Sequence, residues 1–274
     1  MRVTFWGVRG SLASPGPETV RYGGNTACVE VRGTSDAVII LDAGTGIRRL
    51  GEALGDARKI YLFLTHLHLD HLQGLGFFAP LFRPEVEVDI WGPSSLRVDL
   101  ATRLNRYLSP PLFPVRLKDL SSRVTLHTAT AKPTVVGGVE IVAERIIHPG
   151  PTVGYRLAEG PRAIAYLPDH EPALGARRFP EAPEWTSGYA LANRVDLLIH
   201  DAQYRADERA TRIGWGHSSV DEAVAFAKHA GAAALAPFHH DPTHSDADLD
   251  ALFSSVHRGA VEIVPAVEGL SFQI

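Results

Sequence analysis

The 274-residue chain has a single cysteine, Cys28. That excludes an internal disulfide and any thiolate metal cluster, and in the apolar stretch "TACVEVR" the residue reads as a buried strand position. Long hydrophobic runs are also missing. No segment approaches the ~20 apolar residues needed to span a bilayer, and the start "MRVTFWGVRGS" has no apolar core followed by a cleavage site, so a cytoplasmic protein without a membrane partner is expected. Charge of one sign is scarce as well. The formal net charge is −4 without long runs of either sign, which leaves no broad basic footprint for extended nucleic-acid binding. Short-period repeats and low-complexity tracts are likewise absent.

What is abundant is histidine, with thirteen in the chain, set against 45% hydrophobic residues that suffice for a sizeable core. Apolar segments of strand character alternate with helical ones throughout, which predicts a layered α/β architecture. "RVTFWGV", "TACVEVR", "AVIILDAG", "KIYLFLT" and "VEVDIWGP" read as strands of the first half. A helix of about ten residues is predicted from Thr45 and another over Leu72 to Phe82. The less regular, proline-rich segment 94–133, with a helical pattern near "SLRVDLATRLNRYL", reads as a flap over a site. The second half repeats the rhythm with "VEIVAERIIH", "VGYRLA", "RAIAYLPDH", "RVDLLIHDAQY", "AALAPFH", "VEIVPA" and "LSFQI". Its clearest helix runs from Val220 to His229, capped by Ser218 or Ser219 and ended by Gly231. A last helix is expected around "DADLDALFSSVHR".

The histidines are gathered rather than scattered. Four apolar strands end in side chains of metal-ligand type: "FLTHLHLDH", "RIIHPG", "AYLPDH" and "APFHHD". In a layered sheet such ends are where active groups collect. His66 and His68, two apart on extended backbone, can converge on one ion, and Asp70 and His71 can face a neighbouring one once the chain turns. An accidental cluster would leave several desolvated imidazoles and carboxylates unpaired, at a cost on the order of kcal/mol each. Metal binding removes that cost. His127, His229 and His257 read as ordinary strand or helix surface positions.

"THLHLDH" resembles the His-x-His-x-Asp-His signature of the metallo-β-lactamase superfamily, and the resemblance covers nearly the whole chain. It is closest to the phosphodiesterase branch, which includes ribonuclease Z and the phosphoribosyl cyclic phosphate diesterases, through "FWGVRGS", "RYGGNTACVEV", "HPGPTVGYR", "YLPDHEP", "LLIHDAQY", "GWGHSS" and "FHHDPTHSD". The resemblance implies a four-layer αββα sandwich, here one domain over 1–274, holding two divalent metal ions at one edge. By position, His66, His68 and His148 would hold one ion and Asp70, His71 and His239 the other, with Asp169 bridging. His239, which directly follows its strand, is preferred to the adjacent His240. The all nitrogen and oxygen set suits zinc, with manganese or iron as alternatives.

Asp70 would also orient the attacking hydroxide, and His217 in "GWGHSS", similar to the His-Ser-Thr motif of ribonuclease Z, would donate a proton to the leaving oxygen. Asp201 in "IHDAQ" stands where the related His-Glu-Ala-Thr motif has glutamate, and would orient His217. For His200, packing or support is expected rather than ligation. Arg9, Ser11 and Asn25 could reach substrate phosphate or brace turns. The implied function is metal-dependent hydrolysis of a small cyclic phosphodiester or cyclic nucleotide. Ribonuclease Z-like RNA cleavage is the runner-up, disfavoured because no long Gly- and Lys-rich insertion is found, and carboxyl-type hydrolysis of a β-lactam, lactone or thioester is a third reading. Relatives that often pair suggest a homodimer.

Overall fold

Buried strands dictate the architecture. Val38–Leu41 and Leu197–Asp201 are buried at every position, as expected of strands covered on both faces. The computed structural model describes residues 1–174, 179–180, 182–255 and 261–274. Its first half runs β1 (Arg2–Gly7), β2 (Cys28–Arg32), β3 (Val38–Leu41), α1 (Ile47–Ala53), β4 (Lys59–Phe63), α2 (Leu69–Leu72), β5 (Glu87–Pro93), α3 (Leu100–Tyr107) and β6 (Arg123–Ala129). The second continues with β7 (Thr134–Val136), β8 (Val139–Arg145), β9 (Val153–Glu159), β10 (Arg162–Leu167), α4 (Tyr189–Ala192), β11 (Leu197–Asp201), α5 (Ala206–Ala210), α6 (Val220–Ala230), β12 (Ala234–Phe238), α7 (Asp246–Ser255), β13 (Glu262–Ile263) and β14 (Ser271–Gln273).

Two seven-stranded sheets result, ordered β14-β1-β2-β3-β4-β5-β6 and β13-β12-β11-β10-β9-β8-β7. Each is antiparallel on one side and parallel on the other: β3, β4, β5 and β6 run parallel in the first, and β10, β11, β12 and β13 in the second. The closing strand β14 pairs with β1, which ties the two ends of the chain together. Between the sheets lies a core containing Phe5, Val29, Phe63, Tyr155, Tyr166 and Phe238. Ile47, Leu50, Phe78 and Leu104 pack on the outer face of the first sheet, and Leu191, Phe226 and Leu249 on that of the second. This is the four-layer αββα sandwich that the resemblance implies. Among the described residues, no helix is long and apolar enough to cross a membrane.

The helix expected over Leu72 to Phe82 does not form as one element. α2 stops at Leu72, and two 3₁₀ turns follow at Leu75–Phe77 and Ala79–Phe82. Gly74, Gly76 and Pro80 interrupt the backbone, so the apolar residues reach the core from successive turns rather than one helical face. The irregular reading of 94–133 missed β6, whose full-length parallel pairing with β5 overrides a weak local pattern. α3 begins only at Leu100, where Asp99 caps the backbone N–H of Thr102. Ser219, not Ser218, caps α6, in a reciprocal pair with Glu222. Cys28 is fully buried in β2, and burial pushes its thiol up. His257 lies outside the described residues.

Candidate metal centre

The parallel strands aim their C-terminal ends at one edge of the sandwich, and there the chain leaves each strand on a polar residue. β4 delivers Thr65 through His71, β10 delivers Asp169, β11 ends on Asp201 and β12 is followed by His239, while His148 arrives from the loop after β8. Their ligand atoms form overlapping groups, two of which share Asp169, while Asp201, His217 and His239 make a third. His66, His68, His148 and Asp169 make one, Asp70, His71, His239 and Asp169 the other, and within each group all such atoms lie within 4.8 Å of one another.

Asp169 joins the groups with its two oxygens. Oδ2 is 3.6 Å from both His66 Nε2 and His148 Nε2, whereas Oδ1 is 2.8 Å from His71 Nε2 and 3.3 Å from His239 Nε2. In the second group Asp70 Oδ2 lies 3.1 Å from His239 Nε2. Imidazole nitrogens face each other at 3.2 Å in two pairs, His68 with His148 and His71 with His239. His66 Nε2 is buried without a hydrogen-bond partner. Buried nitrogen lone pairs and carboxylates converging in this way are the donor chemistry that divalent cations satisfy, so the residues present fit such ions. His240, the adjacent alternative, points elsewhere: its ring is edge-on to Tyr22, with Nε2 3.2 Å from Ala266 O.

Outer partners fix the rings. His71 Nδ1 donates to Asp42 Oδ2 at 2.8 Å, His148 Nδ1 to Gly216 O at 2.9 Å, and His66 Nδ1 pairs with Thr65 Oγ1 at 3.0 Å. Asp42 also accepts from the Thr65 N–H and hydroxyl and from Tyr166 OH. The loop before β2 presses on His239 so closely that a side chain at Gly10 would come within 2.3 Å of His239 Nδ1. His239 itself adopts φ 63, a strained conformation of the kind that collects at functional sites.

The electrostatics divide the site. Burial holds His66 well below its usual range and lowers His148 to about 4. Burial opposes the charged forms of Asp70, Asp169 and His71 too, but mutual attraction outweighs it: both carboxyls are lowered and His71 is raised. His217 adjoins the second group, its ring stacked on His239 with centroids 5.0 Å apart. Its Nδ1 is 2.7 Å from Asp201 Oδ2, and although burial works against the cation, Asp201 raises His217 to about 9.

Several residues that carry this edge escape a sequence reading. Asp42 ends β3 as His148 or Asp169 end their segments, so the strand-end signal was present in "AVIILDAG". Glu171 is a second case. It is 1% exposed and accepts from Arg209 Nη2 at 2.6 Å, from Gly216 N at 2.8 Å and from Gly214 N, thereby anchoring the loop that presents His217. Arg9 proves to be a brace, fully buried and donating to the carbonyls of Gly23, Asp241 and His244. Asn25 is tied to Glu268. Ser11 is different: its N–H donates to Asp70 Oδ2 at 2.7 Å, its hydroxyl accepts from Gln203, and it lines an open cleft of about 430 Å³ with His68, Asp70, Asp169 and His217. His200 is buried against His170, 2.9 Å from its Nδ1, and takes no part in either group.

Residues 38–240 match the family model described as the Beta-lactamase superfamily domain. The chain is 27% identical to ribonuclease Z of Haloarcula marismortui over all of this chain and 97% of that one. It is 30% identical to ribonuclease Z of Thermococcus gammatolerans over 74% of each. Among solved structures, a diphosphatase of the PhnP family superposes with a TM-score of 0.69 at 17% identity, covering 100% of this chain and 97% of the other. Sheet order, site position and sequence similarity agree: the chain belongs to the metallo-β-lactamase superfamily of hydrolases, on the branch that includes ribonuclease Z.

Proposed function

We propose that the protein is a dinuclear metal-dependent phosphodiesterase acting on a small cyclic phosphodiester or cyclic nucleotide. One observation carries the reading: a single carboxylate, Asp169, offers one oxygen to each of two histidine groups, with the His217–Asp201 pair beside the second. In this reading His66, His68, His148 and Asp169 hold one ion and Asp70, His71, His239 and Asp169 the other. Zinc suits the nitrogen and oxygen donors best. Bound divalent cations would lower the pKa of water and neutralise phosphate charge.

The side chains supply the rest. Asp70, steadied by the Ser11 N–H, orients the attacking water beside phosphorus. Asp201 holds the Nδ1–H of His217, so a proton on Nε2 faces the cleft. As the water oxygen bonds to phosphorus and the leaving oxygen departs, that proton passes to the leaving oxygen. The proton released from water returns to solvent, and His217 is recharged from solvent. Of the segment 94–133, the part that precedes β6 acts as a flap: Arg103, Arg106, Tyr107 and Leu112 line a cleft of about 300 Å³ against His66 and His68. Small nucleotides would be met in the cytoplasm.

A second reading, cleavage of RNA, is favoured by the two ribonuclease Z relatives and shares the same chemistry. A parallel assay separates them: bis(p-nitrophenyl) phosphate, 2′,3′- and 3′,5′-cyclic nucleotides, a precursor tRNA, a chromogenic cephalosporin, a lactone and a thioester. Turnover of only the carboxyl substrates would overturn the proposal. His217→Ala is expected to lower kcat about 100-fold or more on cyclic nucleotides while metal content is retained, and less on p-nitrophenyl esters, whose leaving group needs little protonation.

A further inference from the structure

A separate cleft of about 600 Å³ adjoins His217, and it shares only Ser11 and His217 with the mouth over the metal centre. Tyr204, Arg212 and Trp215 line it. Because His217 lines both clefts, a leaving oxygen that it protonates has this one open to its substituent. The question is what that substituent is.

Trp215 is the informative residue. It is 60% exposed, and it stands in the lining of a cleft rather than alone on the surface. Its loop is held fast. The amides on both sides of Trp215, those of Gly214 and Gly216, donate to the buried Glu171, and Trp215 N donates to Arg212 O. Gly216, at φ 86, packs so tightly that a side chain there would come within 2.3 Å of Pro149 Cδ and 2.5 Å of His148 Nδ1. The same anchor that positions His217 thus fixes an exposed aromatic face in the next residue but one. In the same cleft, the Arg212 guanidinium lies 4.9 Å from the ring centre of Tyr204, and among the described residues its guanidinium hydrogen-bonds Glu208 O alone, which leaves further N–H donors for a ligand. Tyr204 in turn meets the His217 ring edge-on at 5.9 Å.

An anchored aromatic side chain sharing a cleft with an arginine fork suits a flat heterocycle with acceptor atoms on its edge. We propose that this cleft is a base subsite: the substrate is a nucleotide whose leaving oxygen belongs to a nucleoside, with the base packed on Trp215 and its edge or sugar hydroxyl facing Arg212. The proposal rests on the phosphodiesterase reading above and adds what the leaving oxygen carries. Stacking of a base on one aromatic side chain contributes roughly tenfold or more in binding, which sets the size of the effect to look for.

The test compares adenosine 2′,3′-cyclic monophosphate with ribose 2′,3′-cyclic phosphate, the same ring lacking a base. The metal-loaded protein is expected to favour the base-bearing compound in kcat/KM by at least tenfold. Trp215→Ala is expected to collapse that ratio toward one, mainly through KM, and Trp215→Phe to restore most of it. In parallel, adenosine alone should quench tryptophan fluorescence in the unaltered protein but not in Trp215→Phe, a readout that does not depend on turnover. A ratio near one in the unaltered protein, or a ratio that survives Trp215→Ala, would overturn the subsite. If neither cyclic compound is hydrolysed, the phosphodiesterase reading fails on small substrates, and the adenosine titration decides the subsite by itself.

Discussion

Asp42 Oδ2 accepts the Nδ1–H of His71 at 2.8 Å, and neither side chain has any solvent exposure. The aspartate after β3 also gathers Thr65 and Tyr166, so four donors from three residues converge on one carboxylate. Such a partner sets the ring orientation and tautomer of a would-be ligand and raises its basicity. Asp42→Asn keeps the volume but removes the charge. It is expected to weaken metal binding at the Asp70–His71–His239 group about 10- to 100-fold, as read by competition with a chromogenic chelator. Unchanged affinity at both sites would remove Asp42 from this role.

Glu171 is the corresponding anchor for the His217 loop. Replacing it with Gln leaves Arg209, itself 5% exposed, without the buried one of its two carboxylate partners and weakens the hold on the Gly214 and Gly216 amides. Breaking one side of a buried pair costs on the order of 3 kcal/mol. Urea unfolding of Glu171→Gln should register a loss of that size, while Glu222→Gln, at the more exposed end of the same arginine, should register less.

Gly10 tests close packing rather than charge. Since a methyl group at this position would meet His239 at 2.3 Å, Gly10→Ala must displace that ring or the backbone that carries it. The expected result is weaker binding of one metal equivalent with the other retained. Isothermal titration of the chelator-treated protein would resolve the two; equal weakening of both would point to general misfolding.

Much of this edge was legible because strands impose order on sequence. Each of "FLTHLHLDH", "AYLPDH" and "APFHHD" ends a continuous apolar run, and in a layered sheet those ends must meet at one edge, so His66, Asp169 and His239 could be brought together before any coordinates. Asp42 does not stand out in the sequence because a lone aspartate after a strand equally suits a turn. Glu171 and the choice between the two roles open to Arg9 are not legible in the sequence for another reason. Apart from Arg209 beside Glu171, their partners here are backbone groups of Gly214, Gly216, Gly23, Asp241 and His244, fixed by folding and carrying no residue-type signal. The breakdown of the Leu72 to Phe82 helix was visible in Gly74, Gly76 and Pro80 but outweighed by an apolar pattern that 3₁₀ turns satisfy equally well.

The buried histidines outside the two groups give a pH dependence whose sign can be worked out for the chelator-treated protein. Burial lowers His200 to about 4 and His240 to about 3, while the unfolded chain titrates these groups near 6.5. Between those values the unfolded state binds protons that the folded state refuses, so stability falls as pH drops below about 6.5, by about 1.4 kcal/mol per pH unit per group. His71, raised against burial by the Asp169, Asp70 and Asp42 charges, works in the opposite sense, and so does His217. Burial disfavours its cation, but the Asp201 charge raises it to about 9, so its contribution is complete below about 6.5 and is lost as pH rises through 9. The carboxylates Asp70 and Asp169, lowered in the fold, lose their contribution only below the ordinary carboxylate range near 4, outside this window. Urea unfolding from pH 5 to 9 should therefore show a maximum near neutrality. His240→Asn should flatten the acid limb by one group's worth of slope and His217→Asn the alkaline limb. If His217→Asn leaves the alkaline limb intact, the Asp201 contact does not hold a proton on His217 at neutral pH, and the general-acid assignment loses its basis.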